Sequence, residues 1–269
     1  MSGYILCQND RARQPFFIES ISTNIYSLEE LCYFLYHNLY LIDPTVINEE
    51  LCDWLEEEIH VPSAAAKLRP HLNKFADVED VLYPLFKEIN YLSYEELKEL
   101  SRRLQLMNQE SAMMKKKKKG DMLSENGMYV NAIRAYQDLL KEAERDLEGE
   151  AAEEGEEHRM IREMGYHNLG CVFARLFQMD KAAELFLNAY EVAGNPEELE
   201  EYLLAYKSVK TPVEYESRLA ELSVSETVRK KVQERLDAFA RLPEQQVYTQ
   251  HVEKLLSDLT ADYHRSTGA

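Results

Sequence analysis

From Leu28 onward the apolar residues recur at three- and four-residue intervals, with polar residues gathered on the opposite arc. That period belongs to amphipathic helices, in which one stripe faces a core. Ser27-Leu-Glu-Glu30 has the form of a capping box and opens LEELCYFLYHNLYL, apolar almost all round, which predicts a helix buried on most sides. Asp43-Pro44 offers a cap and a first-turn proline ahead of VINEELCDWLEEEIH. Ser63 and residues 77–80 open two more helices, and Pro84 should kink or restart the second. Ser93-Tyr-Glu-Glu96 is another capping box. With no helix breaker before Gly120, residues 94–125 read as one helix of roughly 45 Å. Further helices are expected near 159–177, 180–193, 197–208, 212–223, 225–241 and 244–264, punctuated by Gly194-Asn-Pro196, Thr211-Pro212, Ser225 and Pro243.

Two stretches break this rhythm. Within residues 4–26, Tyr4–Cys7 and Phe16–Glu19 are short β-prone runs around the polar turn NDRARQ, which suggests a small hairpin resting on the helices. Residues 142–157 hold nine acids against one base, together with Gly149 and Gly155, and read as an acidic insert, a loop or a frayed helix end. The expected architecture is therefore all-α. A helical N-terminal domain covers 1–110, with a possible hairpin at 4–26, and a second helical domain covers 111–269.

Composition narrows the function classes. Nine glycines and eight prolines in 269 residues are few for a parallel α/β enzyme, which spends glycine in its phosphate-binding turns. The net charge of −18 is spread over both halves, a sign that repels phosphate backbones and anionic lipid, so neither nucleic acid nor a membrane is an expected partner. No run approaches the ~18–20 apolar residues of a membrane span, and the N-terminus has no basic-then-apolar leader pattern. Cys7, Cys32, Cys52 and Cys171 show neither CxxC nor disulfide-like spacing, so a reducing cytoplasm is the expected compartment.

One internal unit stands out. Tyr166, Leu169, Gly170, Phe173, Ala182, Phe186 and Ala189 follow one another with gaps of two, none, two, eight, three and two residues. This spacing resembles the tetratricopeptide-repeat (TPR) signature, with Tyr166 where the family usually has tryptophan. Glycine within a helix costs about 1 kcal/mol relative to alanine, so Gly170 needs a compensating reason, and close approach of two antiparallel helices at Gly170 and Ala182 supplies one. A weaker copy lies 50 residues earlier, where Gly120, Leu123, Ala132, Tyr136 and Leu139 repeat the later gaps, although Lys116 and Lys119 replace large apolar residues. The acidic insert accounts for the excess over the family's usual repeat of about 34 residues. No third copy is legible beyond residue 199. The opening YILCQ, PFFIES and NIYSLEELCYFLYHNLYLID also resembles bacterial proteins of uncharacterised function, which implies no activity.

The resemblance implies a groove lined by the first helices of successive repeats that holds a peptide. Mapped from the two glycines, that face takes in Met114, Lys117, Asp121 and Ser124, then Met164, His167, Asn168, Cys171 and Arg175. Lys117 and Asn168 match two positions with which some family members clamp a peptide carboxylate. Asp121 departs from the asparagine expected there and would oppose such a ligand. The run Lys115–Lys119 reads as part of a solvated face on the long helix.

Candidate chemistry elsewhere is thin. Glu57-x-x-His60 is a single ExxH where a carboxylate-bridged di-iron centre needs two, and Cys32, His37 and Cys52 lack zinc-like spacing, so neither a metal nor a cofactor is expected. There is no GxSxG elbow, phosphate loop or dinucleotide fingerprint. Tyr33, Tyr36 and Tyr40 follow helical spacing and read as packing residues. The expected function is a non-catalytic module that binds a protein, a peptide or a second copy of itself. The alternatives are an enzyme with a carboxylate-lined cleft in the N-terminal domain and a cytoplasmic peptide-sensing regulator.

Overall fold

Alternation of buried and exposed residues sets the short hairpin that begins the described chain. In the computed structural model, which describes residues 11–72, 78–147 and 155–240, β1 (Phe16–Ile18) pairs antiparallel with β2 (Thr23–Ile25), Phe16 opposite Ile25. Phe16, Ile18 and Ile25 face inward while Phe17 is exposed, as the two-residue period requires. The expected run Tyr4–Cys7 lies outside the described residues. For Phe16–Ile18 the partner is Thr23–Ile25, and the link is a 3₁₀ turn at Glu19–Ile21 rather than NDRARQ.

Everything else regular is helical. The helices are α1 (Leu28–His37), α2 (Glu49–Glu57), α3 (Pro62–Leu68), α4 (Val78–Glu88), α5 (Tyr94–Gln109), α6 (Ala112–Glu125), α7 (Tyr129–Leu147), α8 (Glu156–Arg175), α9 (Met179–Ala193), α10 (Pro196–Val209), α11 (Pro212–Glu221) and α12 (Glu226–Ala240). The fold is thus all-α with a short N-terminal hairpin. The hairpin rests on α2: Trp54 Nε1 donates to the Gln14 carbonyl at 2.9 Å, and Glu58 accepts from the backbone of Arg13 and Gln14 at 2.8 and 2.9 Å. Ser27 caps α1 through the amide of Glu30, while the Glu30 carboxylate reaches back to the amide of Tyr26.

Several expected boundaries move. Asp43 does not cap α2; it accepts from the Thr45 amide in a local turn, and α2 starts six residues later on the side chain of Asn48. Pro62 takes the first helical position of α3, so Val61 and not Ser63 is the cap. α4 runs through Pro84 without restarting. The single long helix over 94–125 is two helices, because Glu110 turns extended (φ −76°, ψ 147°) and the Ser111 side chain accepts from the Met114 amide, capping α6. Of the acidic insert, 142–147 are the last turns of α7, 148–154 lie outside the described residues, and Glu156 opens α8. The expected helix at 244–264 also lies outside the described residues.

From α6 to α10 successive helices fold back on one another, α6 on α7, α7 on α8, α8 on α9 and α9 on α10, and α12 then returns to pack on α10. The two hairpin seams close at the glycines. A Cβ at Gly120 would lie 2.6 Å from the Tyr136 ring, and one at Gly170 would lie 2.9 Å from the Phe186 ring. Ala132 and Ala182 are fully buried in the same seams. Leu169, Phe173, Ala189, Tyr136 and Leu139 are buried as well, while Tyr166 is half-buried and donates to Glu144.

The turns of the two hairpins also match. Gly127 (φ 74°) ends α6 with Met128 N bonded to Leu123 O at 2.8 Å, and Phe177 (φ 57°) ends α8 with Gln178 N bonded to Phe173 O at 2.9 Å. Both are left-handed caps of the Schellman type. Ser223 (φ 50°) makes the same cap after α11, with Val224 N on Leu219 O at 3.1 Å. One continuous cluster of buried apolar side chains runs from Ala12 to Val232, so residues on both sides of position 110 share a core.

Candidate functional site

Residues four apart on one helix share a face, and this places Lys117 with Asp121 on α6 and His167 with Cys171 on α8. The turn geometry above then brings α6 against α8, and side-chain bonds join α8 to the start of α10. Lys117 Nζ lies 2.7 Å from Asp121 Oδ2, with only 14% of the lysine side chain exposed. The other Asp121 oxygen accepts from Tyr136 Oη of α7 at 2.6 Å and from Asn168 Nδ2 of α8 at 2.7 Å. Burial, and then the bond donated to Asp121, hold the Tyr136 hydroxyl in its neutral form far above the usual phenol range.

This geometry changes the expected clamp. Lys117 and Asn168 do converge on a carboxylate, but it is the protein's own Asp121. Half-buried between three helices, that carboxylate has the cation and donors that such burial demands.

The second half of the strip centres on His167. Its Nδ1 sits 2.9 Å from Glu198 Oε2 of α10, and its Nε2 sits 3.4 Å from Cys171 Sγ, one turn along α8. Glu198 is 6% exposed, and the His167 ring leans on Phe186 of α9 with 5.5 Å between centroids. The bonds to the Cys171 sulfur and the Glu198 carboxylate outweigh burial and push His167 up to about 10. α10 is fixed there by Asn195, whose Nδ2 donates to Glu163 of α8 at 3.0 Å while its Oδ1 caps the Glu197 amide. Arg175 stands apart, exposed at the end of α8; Met114, Ser124 and Met164 are half-buried. Sequence reasoning placed His167 and Cys171 on this face and missed Glu198, because nothing in the acidic stretch 197–201 distinguishes the carboxylate that meets His167 from Glu200, which is as deeply buried.

The lysine run is not a solvated face. Lys116 pairs with Glu142 of α7, Lys118 with Glu110 and the Tyr40 hydroxyl, and Lys119 with Asp43 at 2.7 Å. Together with Lys117 and Asp121, four consecutive lysines reach four different acids, and they tie α6 to α7, to the turn after α5 and to the loop after α1. The reason is local: the break at Glu110 starts a new helix in a new direction, so Lys118 and Lys119, partly exposed, reach Tyr40 and Asp43 of the N-terminal elements.

In the N-terminal elements a cavity of about 590 Å³ is lined by Asn24, Ser27, Glu29, Glu30, Tyr33, Asn38, Tyr91 and Asn126, among others. Of its two carboxylates, Glu30 is engaged at the start of α1, as described, and Glu29 is buried. Burial pushes Tyr91 up to about 12 and Cys52 up to about 11, and Cys32 higher still. Among the described residues no group of three or more His, Cys, Asp or Glu side chains is arranged to hold a metal ion, and no helix is long and apolar enough to cross a membrane. No protein-family model, no curated protein and no solved structure matches this chain.

Proposed function

We propose that this chain is a non-catalytic binding module of TPR-like hairpins, acting in the cytoplasm, in which the strip formed by α6, α8 and α10 engages an extended segment of another protein. The observation that carries this reading is the recurrence, 50 residues apart, of the same glycine-on-aromatic seam and the same left-handed cap. Such recurrence is how stacked hairpins place their first helices in register and build a continuous binding face. The occupant is expected to bind through amide or basic groups. A C-terminal carboxylate is disfavoured, because Asp121 already occupies Lys117 and Asn168, and Glu198 adds a second negative charge nearby.

The test is a peptide array of random sequence, synthesised with free and with amidated C-termini and probed with the full chain. Binding should be indifferent to amidation, and for basic peptides it should strengthen at least fivefold in Arg175→Glu, which turns an exposed positive charge at the end of α8 into a negative one. Loss of binding on amidation, or an array unchanged by Arg175→Glu, would refute the assignment of this face. Lys117 is unsuited to the experiment, since it holds Asp121 and its reversal would perturb folding.

A further inference from the structure

The arrangement of Cys171, His167 and Glu198 does something that peptide binding does not require. Of the three cysteines described, Cys32 and Cys52 are fully buried. Cys171 is half-buried, and an imidazole nitrogen faces its sulfur at 3.4 Å. The far nitrogen of that imidazole meets a buried carboxylate at 2.9 Å. A carboxylate at Nδ1 fixes the tautomer so that Nε2 faces the thiol as an acceptor, and it stabilises the imidazolium that forms when the thiol proton moves across. Carboxylate, imidazole and thiol in line is the constellation that converts a weak nucleophile into a thiolate. Geometry alone holds the line: Cys171 and His167 are one turn apart on α8, and Glu198 is delivered by the first turn of α10, which the Asn195–Glu163 bond anchors.

We propose that Cys171 is a reactive thiol site, with His167 as its base and Glu198 as the positioning residue, and that hydrogen peroxide is its co-substrate. In the step, the Cys171 sulfur attacks one peroxide oxygen. The S–O bond forms and the O–O bond breaks. The departing hydroxide takes the Nε2 proton of His167 and leaves as water. Sulfur is oxidised by two electrons and the peroxide is reduced by the same two, leaving a sulfenic acid. The groups that face the sulfur and its base are Glu198 from α10, Tyr136 from α7 with the Asp121–Lys117 pair of α6 behind it, and the apolar Phe186 ring from α9. Oxidation at this point removes the sulfur partner of His167 at the junction of α8 and α10. This site stands whether or not the strip binds a peptide.

The experiment measures alkylation of the full chain in a Cys7→Ser background by iodoacetamide, with mass spectrometry resolving the peptides of Cys171, Cys32 and Cys52. A cysteine of ordinary acidity slows roughly twentyfold between pH 9 and pH 7. Cys171 should slow less than threefold, and Cys32 and Cys52 should react at least a hundredfold more slowly at both pH values. His167→Gln and Glu198→Gln should each restore the steep pH dependence and cut the rate at pH 7 at least tenfold, with circular dichroism confirming the fold. The peroxide arm uses dimedone, which should tag Cys171 and spare Cys32 and Cys52. An ordinary pH profile at Cys171 of the unmutated site overturns the proposal without recourse to the variants. So does a His167→Gln protein that folds and reacts unchanged, or a sulfenic acid absent from Cys171 after peroxide.

Discussion

Adding one methyl group at Gly170 tests the seam of the second hairpin directly. In a solvent-exposed helix, Gly→Ala stabilises by about 1 kcal/mol. Here the new Cβ would lie 2.9, 3.0 and 3.2 Å from Cε1, Cδ1 and Cζ of Phe186, so the ring would have to retreat by several tenths of an ångström. Phe186 is 4% exposed, and the His167 ring lies at 5.5 Å from it, which leaves little room for that retreat. Overpacking of this kind costs about 1–3 kcal/mol, so Gly170→Ala should be net destabilising by about 1 kcal/mol and Gly170→Leu by about 3 or more. The decisive assay is a double-mutant cycle with Phe186→Leu, read by urea unfolding followed by far-ultraviolet circular dichroism. The smaller side chain makes room for the methyl, so the double variant should be more stable than the sum of the singles predicts, by at least ~1 kcal/mol. A stabilising Gly170→Ala, or an additive cycle, would remove close approach as the reason for the glycine.

Three further outcomes follow from the site and the turns. Asp121→Ala should destabilise by about 2–4 kcal/mol, because it strands Lys117, Tyr136 Oη and Asn168 Nδ2 at once; thermal unfolding that is unchanged would show that the network is incidental. His167 is raised in the folded state from 6.5 to about 10 by its bonds to Cys171 and Glu198, so its contribution to stability is full below about pH 6.5 and is lost as pH rises through 10. Denaturant midpoints of the unmutated protein and His167→Gln should therefore converge between pH 6.5 and 10, and curves that stay parallel would contradict the pairing. Phe177 is 87% exposed and left-handed at the position where the first hairpin has Gly127. Relief of about 1–2 kcal/mol of backbone strain, offset by the larger chain entropy of glycine, should make Phe177→Gly stabilising by about 0.5–1 kcal/mol in the same unfolding assay.

Much of this molecule is legible along the chain, for a physical reason. Helix existence depends on period and on caps, both local, and so the serine and threonine caps at Ser27, Ser93 and Thr211 and the helices between residues 159 and 240 stand close to where the pattern puts them. Gly120 and Gly170 are also legible, since a glycine inside a strong helix pattern is unfavourable without a close neighbour. The break at Glu110–Ser111 was not, because no glycine or proline marks it and a serine within a helix pattern is weak punctuation; the ion pairs that Lys116, Lys118 and Lys119 make with distant elements lie beyond it. The candidate site divides in the same way. Sequence by itself put His167 and Cys171 on one helical face, because a separation of four residues guarantees it. Only the tertiary structure decided that Asp121 would fill the clamp of Lys117 and Asn168, and which of the acids at 197–201 would meet His167. Those choices depend on how α10 crosses α8, and no local spacing encodes a distance between helices that meet through the core.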